Sequence, residues 1–374
     1  MRIAILWPAR APSPDVRSGI PLGMQRGLEA VGAEVIPVYL GPGPAWDALP
    51  GPLGARARFA RSVARRVDLG RAAGVVDAVL APACAEVCVG LRTRAPVVFA
   101  TDAACGFGGP IVGGRHRPAP FSRLRRWVNA AALRRARAVI VATEGARRHA
   151  VEAFGADPDR VHVSALGANA VAPHEGLGDR PAPSPDGVRL VQVAASPGRK
   201  RVDDGVAAVG LLRERGVRAS LTLIGPPTPA ASRSPYVDCL GRLRLSSPAD
   251  AAEFREALLA AHMMLMPSRA EAFGIAACEG AHFGLPVIAT RVGGLAEIVR
   301  DGRTGLLLPH DASSEAIAGA IERLIADPER WRAMSRSGRA LAVEEYTWTR
   351  WAQRAAPIIE GVAARAPKGG LPRA

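Results

Sequence analysis

Two glutamates, eight residues apart, are the side chains of this sequence with the clearest potential for chemistry. Glu271 follows an apolar run that is predicted to be a strand, and Glu279 lies in the helix predicted to begin near Phe273 and Gly274. The first turn of a helix presents backbone N–H groups and the positive end of the helix dipole, both of which favour a phosphate. Gly274 lets a ligand approach the backbone closely. Glu279 can accept hydrogen bonds from vicinal hydroxyls such as those of a ribose, and Glu271 from sugar hydroxyls beyond the phosphates.

These glutamates belong to a longer pattern. The motif Glu-x7-Glu, with Phe-Gly inside it, is followed by Gly-x-Pro-Val-Ile-Ala-Thr at 284–290 and by Asp-Gly-Arg-Thr-Gly at 301–305. This combination resembles the retaining glycosyltransferases of family 4, and the resemblance is strongest in residues 190–310. It implies the GT-B fold, an α/β architecture of two Rossmann-like doubly wound domains that face each other across a cleft.

The resemblance implies a role for each residue of the first motif. Glu271 is expected to contact the sugar of a nucleotide-sugar donor. The backbone N–H groups of Phe273, Gly274 and Ile275 are expected to contact the sugar hydroxyls and the phosphates, and Glu279 to hold the ribose. An ordinary buried strand–helix unit, the alternative, would not require an acid at both ends of the motif.

Lys200 is the second candidate, because it lies where the family places a lysine that binds the diphosphate. The chain has 49 basic residues, and Lys200 and Lys368 are its two lysines. A compact ammonium fits a crowded diphosphate better than a planar guanidinium does. Relatives often have a further arginine a few residues earlier; here Arg199 or Arg201 is the candidate for a second cation. The alternative for this segment is a solvated basic loop.

The N-terminal half offers weaker candidates. The resemblance implies that Gly19, after the first predicted strand, faces the donor phosphates. Asp102 follows the predicted strand Val97–Ala100, near the place where many relatives have a histidine. Asp102 can orient an acceptor hydroxyl or accept its proton, and the alternative is a capping role.

The expected chemistry retains the configuration of the sugar without a covalent nucleophile. Lys200, a nearby arginine and helix N–H groups would neutralise the departing diphosphate. We expect no metal and no cofactor beside the nucleotide sugar. Asp157-Pro-Asp159 has the spacing of a metal-binding Asp-x-Asp, but it lies between a helix and a strand and is predicted to be a turn.

The elements that must position these residues alternate between short apolar runs and helical stretches, as in parallel α/β folds. We predict an acceptor-binding domain over 1–172, a linker over 173–187 and a nucleotide-sugar-binding domain over 188–346. A C-terminal helix, 347–365, is predicted to join the first domain. The stretch Val171–Gly187, rich in Pro and Gly, is the expected hinge.

Composition narrows the class of protein. The 374 residues are 48% hydrophobic, which is enough for two buried cores. No apolar run approaches the roughly 18 residues that span a bilayer, and five cysteines without CxxC spacing suit reduced thiols. These features favour a cytoplasmic protein, with peripheral contact to the inner face of the membrane as an open alternative. The net charge of +15 favours anionic partners.

Several alternatives stay open at this point. The default donor is a UDP-sugar, with GDP- and ADP-sugars as alternatives, and the acceptor is a glycan, a lipid-linked sugar or a small natural product. The Gly- and Arg-rich segment Gly106–Arg126 can recognise an anionic acceptor or a membrane surface, or be a solvated loop. A GT-B-like epimerase or hydrolase of nucleotide sugars is one alternative function. A non-catalytic basic protein that binds nucleotides or nucleic acid is another, although aromatic residues make up only 5% of the chain.

Overall fold

The computed structural model describes residues 1–7, 12–40, 67–68, 75–102, 111–112, 115–116, 122–171 and 181–366. The chain divides into two compact units. The first comprises Met1–Pro110, His116–Ala165 and Trp348–Ala374, and the second comprises Ile111–Arg115 and Leu166–Thr347. The domain limits drawn from the sequence stay a prediction, and residues 172–180 of the expected hinge lie outside the described residues.

The strands of the first unit form a parallel sheet in the order β10-β9-β6-β4-β1-β2. Strands β4, β6 and β9 are buried along their whole length, as expected when helices cover both faces of a sheet. The strands up to this point are β1 (Arg2–Trp7), β2 (Glu34–Tyr39), β3 (Val67–Asp68), β4 (Ala78–Pro82), β5 (Leu91–Arg92), β6 (Val97–Thr101), β7 (Ile111–Val112), β8 (Arg115–His116), β9 (Ala138–Val141) and β10 (Val161–Val163).

The second unit has a second parallel sheet, in the order β13-β12-β11-β14-β15-β16. Strands β11 and β14, neighbours at its centre, are connected to the two segments that carry the predicted site residues. Its strands are β11 (Val188–Val193), β12 (Ala219–Ile224), β13 (Val237–Gly241), β14 (Met263–Met266), β15 (Val287–Thr290) and β16 (Gly305–Leu308).

Helices connect the strands of both sheets. They are α1 (Ile20–Ala30), α2 (Ala85–Gly90), α3 (Ser122–Arg135), α4 (Glu144–Phe154), α5 (Pro197–Lys200), α6 (Val202–Glu214), α7 (Pro229–Arg233), α8 (Pro248–Ala260), α9 (Ile275–His282), α10 (Leu295–Ile298), α11 (Ser314–Ile325), α12 (Pro328–Glu345) and α13 (Trp348–Ala364). The prediction of an α/β fold with two doubly wound domains is confirmed.

Some elements differ from the sequence-based expectation. The apolar pattern of the sequence also predicts a helix over Ala55–Leu69, most of which lies outside the described residues. The end of that prediction is wrong, because Val67–Asp68 is a short strand that pairs with Leu91–Arg92. Strands β13 and β16 were not predicted, because their apolar runs are short and become strands only through pairing with β12 and β15. Most of Gly106–Arg126 also lies outside the described residues.

The Asp157-Pro-Asp159 segment is a turn, as predicted. Pro158–Arg160 form a short 3₁₀ helix, and an oxygen of the Asp157 carboxylate accepts a hydrogen bond from the Asp159 N–H at 3.0 Å. Arg160 pairs with the same carboxylate at 3.1 Å. Across the described ranges, no helix has both the length and the apolarity needed to cross a membrane. Within those ranges there is also no group of three or more His, Cys, Asp or Glu side chains that could hold a metal ion.

Helix α13 packs against α1 within the first unit, and two glycines of α1 make the close approach possible. A Cβ at Gly23 would lie 2.0 Å from Cε2 of Trp348, and one at Gly27 would lie 2.3 Å from the Trp348 carbonyl oxygen. The indole therefore occupies space that any larger residue at position 23 would need. This contact fixes the C-terminal helix to the first sheet's helical layer.

We predict that Gly23→Ala destabilises the protein by about 1–3 kcal/mol, because the added methyl group overpacks the Trp348 contact. Gly210→Ala is the control: Gly210 is also in a helix interior, in α6, and a Cβ there would have nothing within 4 Å. Alanine there should stabilise the protein by roughly 0.5–1 kcal/mol. Thermal unfolding followed by circular dichroism measures both, and equal effects of the two substitutions would contradict the packing argument.

Candidate functional site

The candidate site is built on the loop between β14 and α9. Gly274 immediately precedes α9 and has a φ of 114°, a conformation that favours glycine. A Cβ at this position would also lie only 2.8 Å from Cδ2 of Leu295. The helix begins at Ile275. The Ala277 N–H donates to the Gly274 carbonyl at 2.8 Å, whereas the N–H groups of Ile275 and Ala276 have no preceding turn to bond with and are suited to an anion.

Two adjacent glycines hold this loop in place. A Cβ at Gly293 would lie 1.7 Å from the Glu271 carbonyl oxygen, and one at Gly294 would lie 2.3 Å from the Phe273 carbonyl oxygen. The two backbone segments are therefore in direct contact, and the Gly294 N–H donates to the Ala272 carbonyl at 3.2 Å. The sequence-based reasoning did not predict this contact, although two adjacent glycines after β15 can indicate a close approach of two backbone segments.

Glu271, Lys200 and Arg199 form one ionic cluster. The same carboxylate oxygen of Glu271 lies 2.8 Å from Nζ of Lys200 and 3.0 Å from a guanidinium nitrogen of Arg199. The Arg199 guanidinium also donates to the Ala270 carbonyl at 2.7 Å. The side chains of Lys200 and Glu271 are 8% and 11% exposed, so solvent screens their attraction only weakly.

Burial and charge act in opposite directions on these groups. Burial by itself raises the pKa of Glu271, but the adjacent Lys200 and Arg199 charges outweigh it and the pKa is lowered. Burial lowers the pKa of Lys200, and the Glu271 carboxylate opposes that change in part. The carboxylate is therefore held ionised between two cations, and the cluster as a whole carries an excess of positive charge.

Lys200 is not in a solvated loop, so that alternative is wrong. It ends the one-turn helix α5 and is buried. Arg201 contacts other groups: its guanidinium pairs with Asp204 at 2.8 Å and donates to the Ala312 carbonyl at 2.6 Å. Of the two arginines proposed as the second cation, Arg199 is therefore the one that the structure brings to Glu271 and Lys200.

Glu279 lies on α9 and is buried. One oxygen of its carboxylate accepts hydrogen bonds from the backbone N–H groups of Asn169 and Ala170, each at 3.3 Å. Burial raises the pKa of Glu279 to about 7, although these two N–H groups and the Lys200 charge act to lower it. The sequence did not predict the contacts to Asn169 and Ala170, and the ribose-binding role stays a prediction.

At Phe273 a ligand can contact the backbone but not the ring. The ring is buried and packs edge-on against Tyr346, with centroids 6.3 Å apart and an angle of 84° between the planes. The Tyr346 hydroxyl in turn donates to the Ile298 carbonyl at 3.3 Å. This packing fixes the peptide groups from Phe273 to Ile275, in keeping with the predicted contacts of their N–H groups.

Gly19 and Asp102 belong to the first unit. Gly19, with a φ of 75°, ends a short 3₁₀ helix (Val16–Gly19) after β1 and directly precedes α1. Asp102 follows β6, is half-buried, and accepts a hydrogen bond from the Thr101 hydroxyl at 3.4 Å. Both residues thus follow the carboxyl ends of strands in one parallel sheet, the edge at which such domains bind ligands. Their roles in phosphate and acceptor binding stay predictions.

The raised pKa of Glu279 predicts a stability that depends on pH. Since the folded pKa, about 7, exceeds the ordinary value of 4.5, the folded state binds this proton more tightly than the unfolded state. Stability should therefore fall as pH rises from about 5 to 8, by about 2 kcal/mol from this group. Urea titrations of the wild type and of Glu279→Gln measure this effect. The difference between their free energies of unfolding, wild type minus variant, should fall by this amount between pH 5 and pH 8.

The matched control is Glu256→Gln, at an exposed position on α8. Its unfolding free energy should follow that of the wild type across the same pH range. A wild-type minus Glu279→Gln difference that stays constant from pH 5 to 8 would contradict the electrostatic description of Glu279.

Comparison with known proteins places these observations in a family. A family model described as "Glycosyl transferase 4-like domain" matches residues 3–167, and one described as "Glycosyl transferases group 1" matches residues 188–327. The chain is 34% identical over 257 residues to alpha-maltose-1-phosphate synthase of Mycolicibacterium smegmatis, a match that covers 64% of this chain and 66% of the relative. The matched part covers less than two thirds of the length of each of the first curated relatives.

Solved structures with the same fold extend over nearly the whole chain. Sucrose-phosphate synthase from Thermosynechococcus elongatus matches with a TM-score of 0.69 at 20% identity, covering 97% of this chain and 99% of that one. Anabaena Alr3699/HepE in complex with UDP and glucose matches with a TM-score of 0.64 at 16% identity, covering 96% and 100%. At these identities the likeness is one of fold. The two family models and the fold together show that this chain belongs to glycosyltransferase family 4, with the GT-B fold.

Proposed function

We propose that this protein transfers a sugar from a nucleotide-sugar donor to an acceptor hydroxyl, with retention of the sugar's configuration. The observation that carries the proposal is the cluster of buried Lys200 and Glu271 with half-buried Arg199, which adjoins the first turn of α9. A diphosphate needs cations and N–H donors at short range, and a sugar needs a carboxylate that accepts from its hydroxyls. The cluster offers both kinds of group, because the Glu271 carboxylate is in direct contact with the Lys200 and Arg199 cations.

In the proposed reaction, the bond between the anomeric carbon and the diphosphate breaks, and the acceptor oxygen forms a new bond to that carbon. Negative charge develops on the departing diphosphate, where Lys200, Arg199 and the N–H groups of Phe273–Ile275 stabilise it. Glu271 accepts hydrogen bonds from the sugar, and Glu279 from the ribose. Asp102 of the first unit is proposed to orient the acceptor hydroxyl or to accept its proton.

UDP-sugars are the proposed default donors. The HepE structure in complex with UDP and glucose supports a uridine nucleotide, whereas a curated mannosyltransferase relative is described as GDP-mannose-dependent, which keeps GDP-sugars as the alternative. For the acceptor, we propose a hydroxyl of a glycan, a lipid-linked sugar or a small molecule. Metal independence and the absence of a further cofactor are part of the proposal.

The test is turnover of a panel of UDP-, GDP- and ADP-sugars, with and without sugar, polyol and lipid-linked acceptors. We expect one donor to be consumed only when an acceptor is present, and the anomeric proton coupling of the product to match that of the donor. Lys200→Ala should lower kcat/KM by roughly 10²–10³-fold, because it removes charge stabilisation from the leaving group. Consumption of donor without acceptor would contradict transfer as the function.

Glu271→Gln is the matched variant, because it keeps the shape of the side chain and removes its charge. We expect it to bind the bare nucleoside diphosphate at least as tightly as the wild type, since both cations are then no longer paired with a carboxylate. Its turnover should nevertheless fall. A loss of diphosphate binding in Glu271→Gln equal to that in Lys200→Ala would contradict the assignment of the two side chains to different parts of the donor.

A further inference from the structure

A buried glutamine lies behind the ionic cluster, in a strand that is otherwise apolar on its buried side. Gln192 is 1% exposed and lies on β11, between the neighbouring strands β12 and β14. A buried amide destabilises a folded protein unless its polar atoms are hydrogen-bonded. In the part of the chain that the structure describes, the amide oxygen of Gln192 has no hydrogen-bond partner. The unpaired amide oxygen therefore destabilises the folded protein, and a hydrogen bond from the amide nitrogen must offset this destabilisation.

Among the described residues, the amide nitrogen of Gln192 makes one hydrogen bond, and its acceptor is Lys200. It donates to the Lys200 backbone carbonyl at 2.8 Å. Lys200 is the last residue of the one-turn helix α5, where carbonyl groups lack partners within the helix. The chain then reverses through Arg201, which has a φ of 53° although it is not glycine. Gln192 thus anchors the end of α5 at the point where the chain turns into α6.

The absence of a side chain at Gly205 leaves room for the Gln192 amide. A Cβ at Gly205 of α6 would lie 2.5 Å from the amide oxygen of Gln192 and 3.8 Å from Cδ1 of Leu265. Without a side chain on Gly205, the helix can pass directly over the amide. Strand β11, the end of α5 and the bare backbone of Gly205 together enclose the amide.

We propose that Gln192 is a positioning residue, which fixes the backbone of Lys200 so that its ammonium reaches both Glu271 and the donor diphosphate. The ammonium lies at the end of a flexible four-carbon chain, so its location depends on how firmly the Cα is held. An apolar residue would suit the sheet better, and the donated hydrogen bond explains why an amide lies there. The consequence for the diphosphate rests on the proposed function; the consequence for Lys200 does not.

The test replaces Gln192 with methionine, which has a similar shape and no donor. Leu190→Met is the control, because Leu190 lies on the same strand and face and is equally buried. We expect Gln192→Met to weaken binding of UDP, or of whichever nucleoside diphosphate the wild type binds, by roughly tenfold in calorimetric titrations. Leu190→Met should leave the affinity within about twofold of the wild type.

A second pair of variants acts on the same contact from the other side. Gly205→Ala pushes a methyl group against the Gln192 amide, whereas Gly210→Ala, also in α6, meets nothing within 4 Å. Alanine favours a helix, so both variants are expected to fold. Gly205→Ala should reproduce the effect of Gln192→Met, and Gly210→Ala should not.

Lys200 itself provides a readout that reports directly on its own side chain. The chain has two lysines, so selective ¹⁵N-lysine labelling gives two side-chain signals, and the one missing in Lys200→Arg is assigned to Lys200. A buried, paired ammonium exchanges its protons with water slowly. In Gln192→Met and Gly205→Ala this exchange should accelerate by roughly an order of magnitude as the side chain leaves Glu271. In the two control variants it should stay as in the wild type.

The outcomes separate this inference from the proposed function. Exchange rates and affinities in Gln192→Met and Gly205→Ala that equal those of their controls would overturn the positioning role. If the wild type binds no nucleoside diphosphate, the proposed function fails, and the exchange of Lys200 protons still decides whether Gln192 positions this residue.

Discussion

The second unit depends on one physical constraint, which is that a buried carboxylate must have cations beside it. Glu271 is nearly enclosed and remains ionised because Lys200 and Arg199 contact the same oxygen. Separating these charges would leave buried groups unpaired, which is strongly destabilising. The loops that carry the three residues are therefore tied together. Close backbone contacts at Gly293 and Gly294 hold the loop that carries Glu271 in addition.

The topology of the sheet brings these residues to one place. Lys200 follows β11 and Glu271 follows β14, and these strands are parallel neighbours with Leu190 opposite Met263 and Val191 opposite Met264. Chain segments that leave neighbouring parallel strands emerge at the same edge. The Arg269 N–H donates to the Arg199 carbonyl at 2.8 Å, which joins the two loops directly. A site assembled in this way is formed before any ligand arrives, as electrostatic catalysis requires.

Much of this arrangement could be predicted from the sequence, and the remainder depended on long-range contacts. The apolar runs that end at Met266 and near Val193 predict strands, and Gly274 before an apolar helix marks a point of close backbone approach. Lys200 stands out in a chain that uses arginine nearly everywhere. What local pattern does not reveal is which groups pair across the fold. The contacts of Gln192 with Lys200, and of Glu279 with the backbone of Asn169, join residues that only the folded chain brings together.

The diphosphate of a nucleotide sugar is proposed to bind at Lys200, Arg199 and the first turn of α9. A crystal structure of the protein with a bound nucleoside diphosphate tests it most directly. We predict phosphate oxygens within hydrogen-bond distance of the Lys200 ammonium and of the N–H groups between Phe273 and Ile275, with the ribose hydroxyls at Glu279. A diphosphate bound elsewhere, with the Lys200–Glu271 pair undisturbed and unapproached, would contradict it.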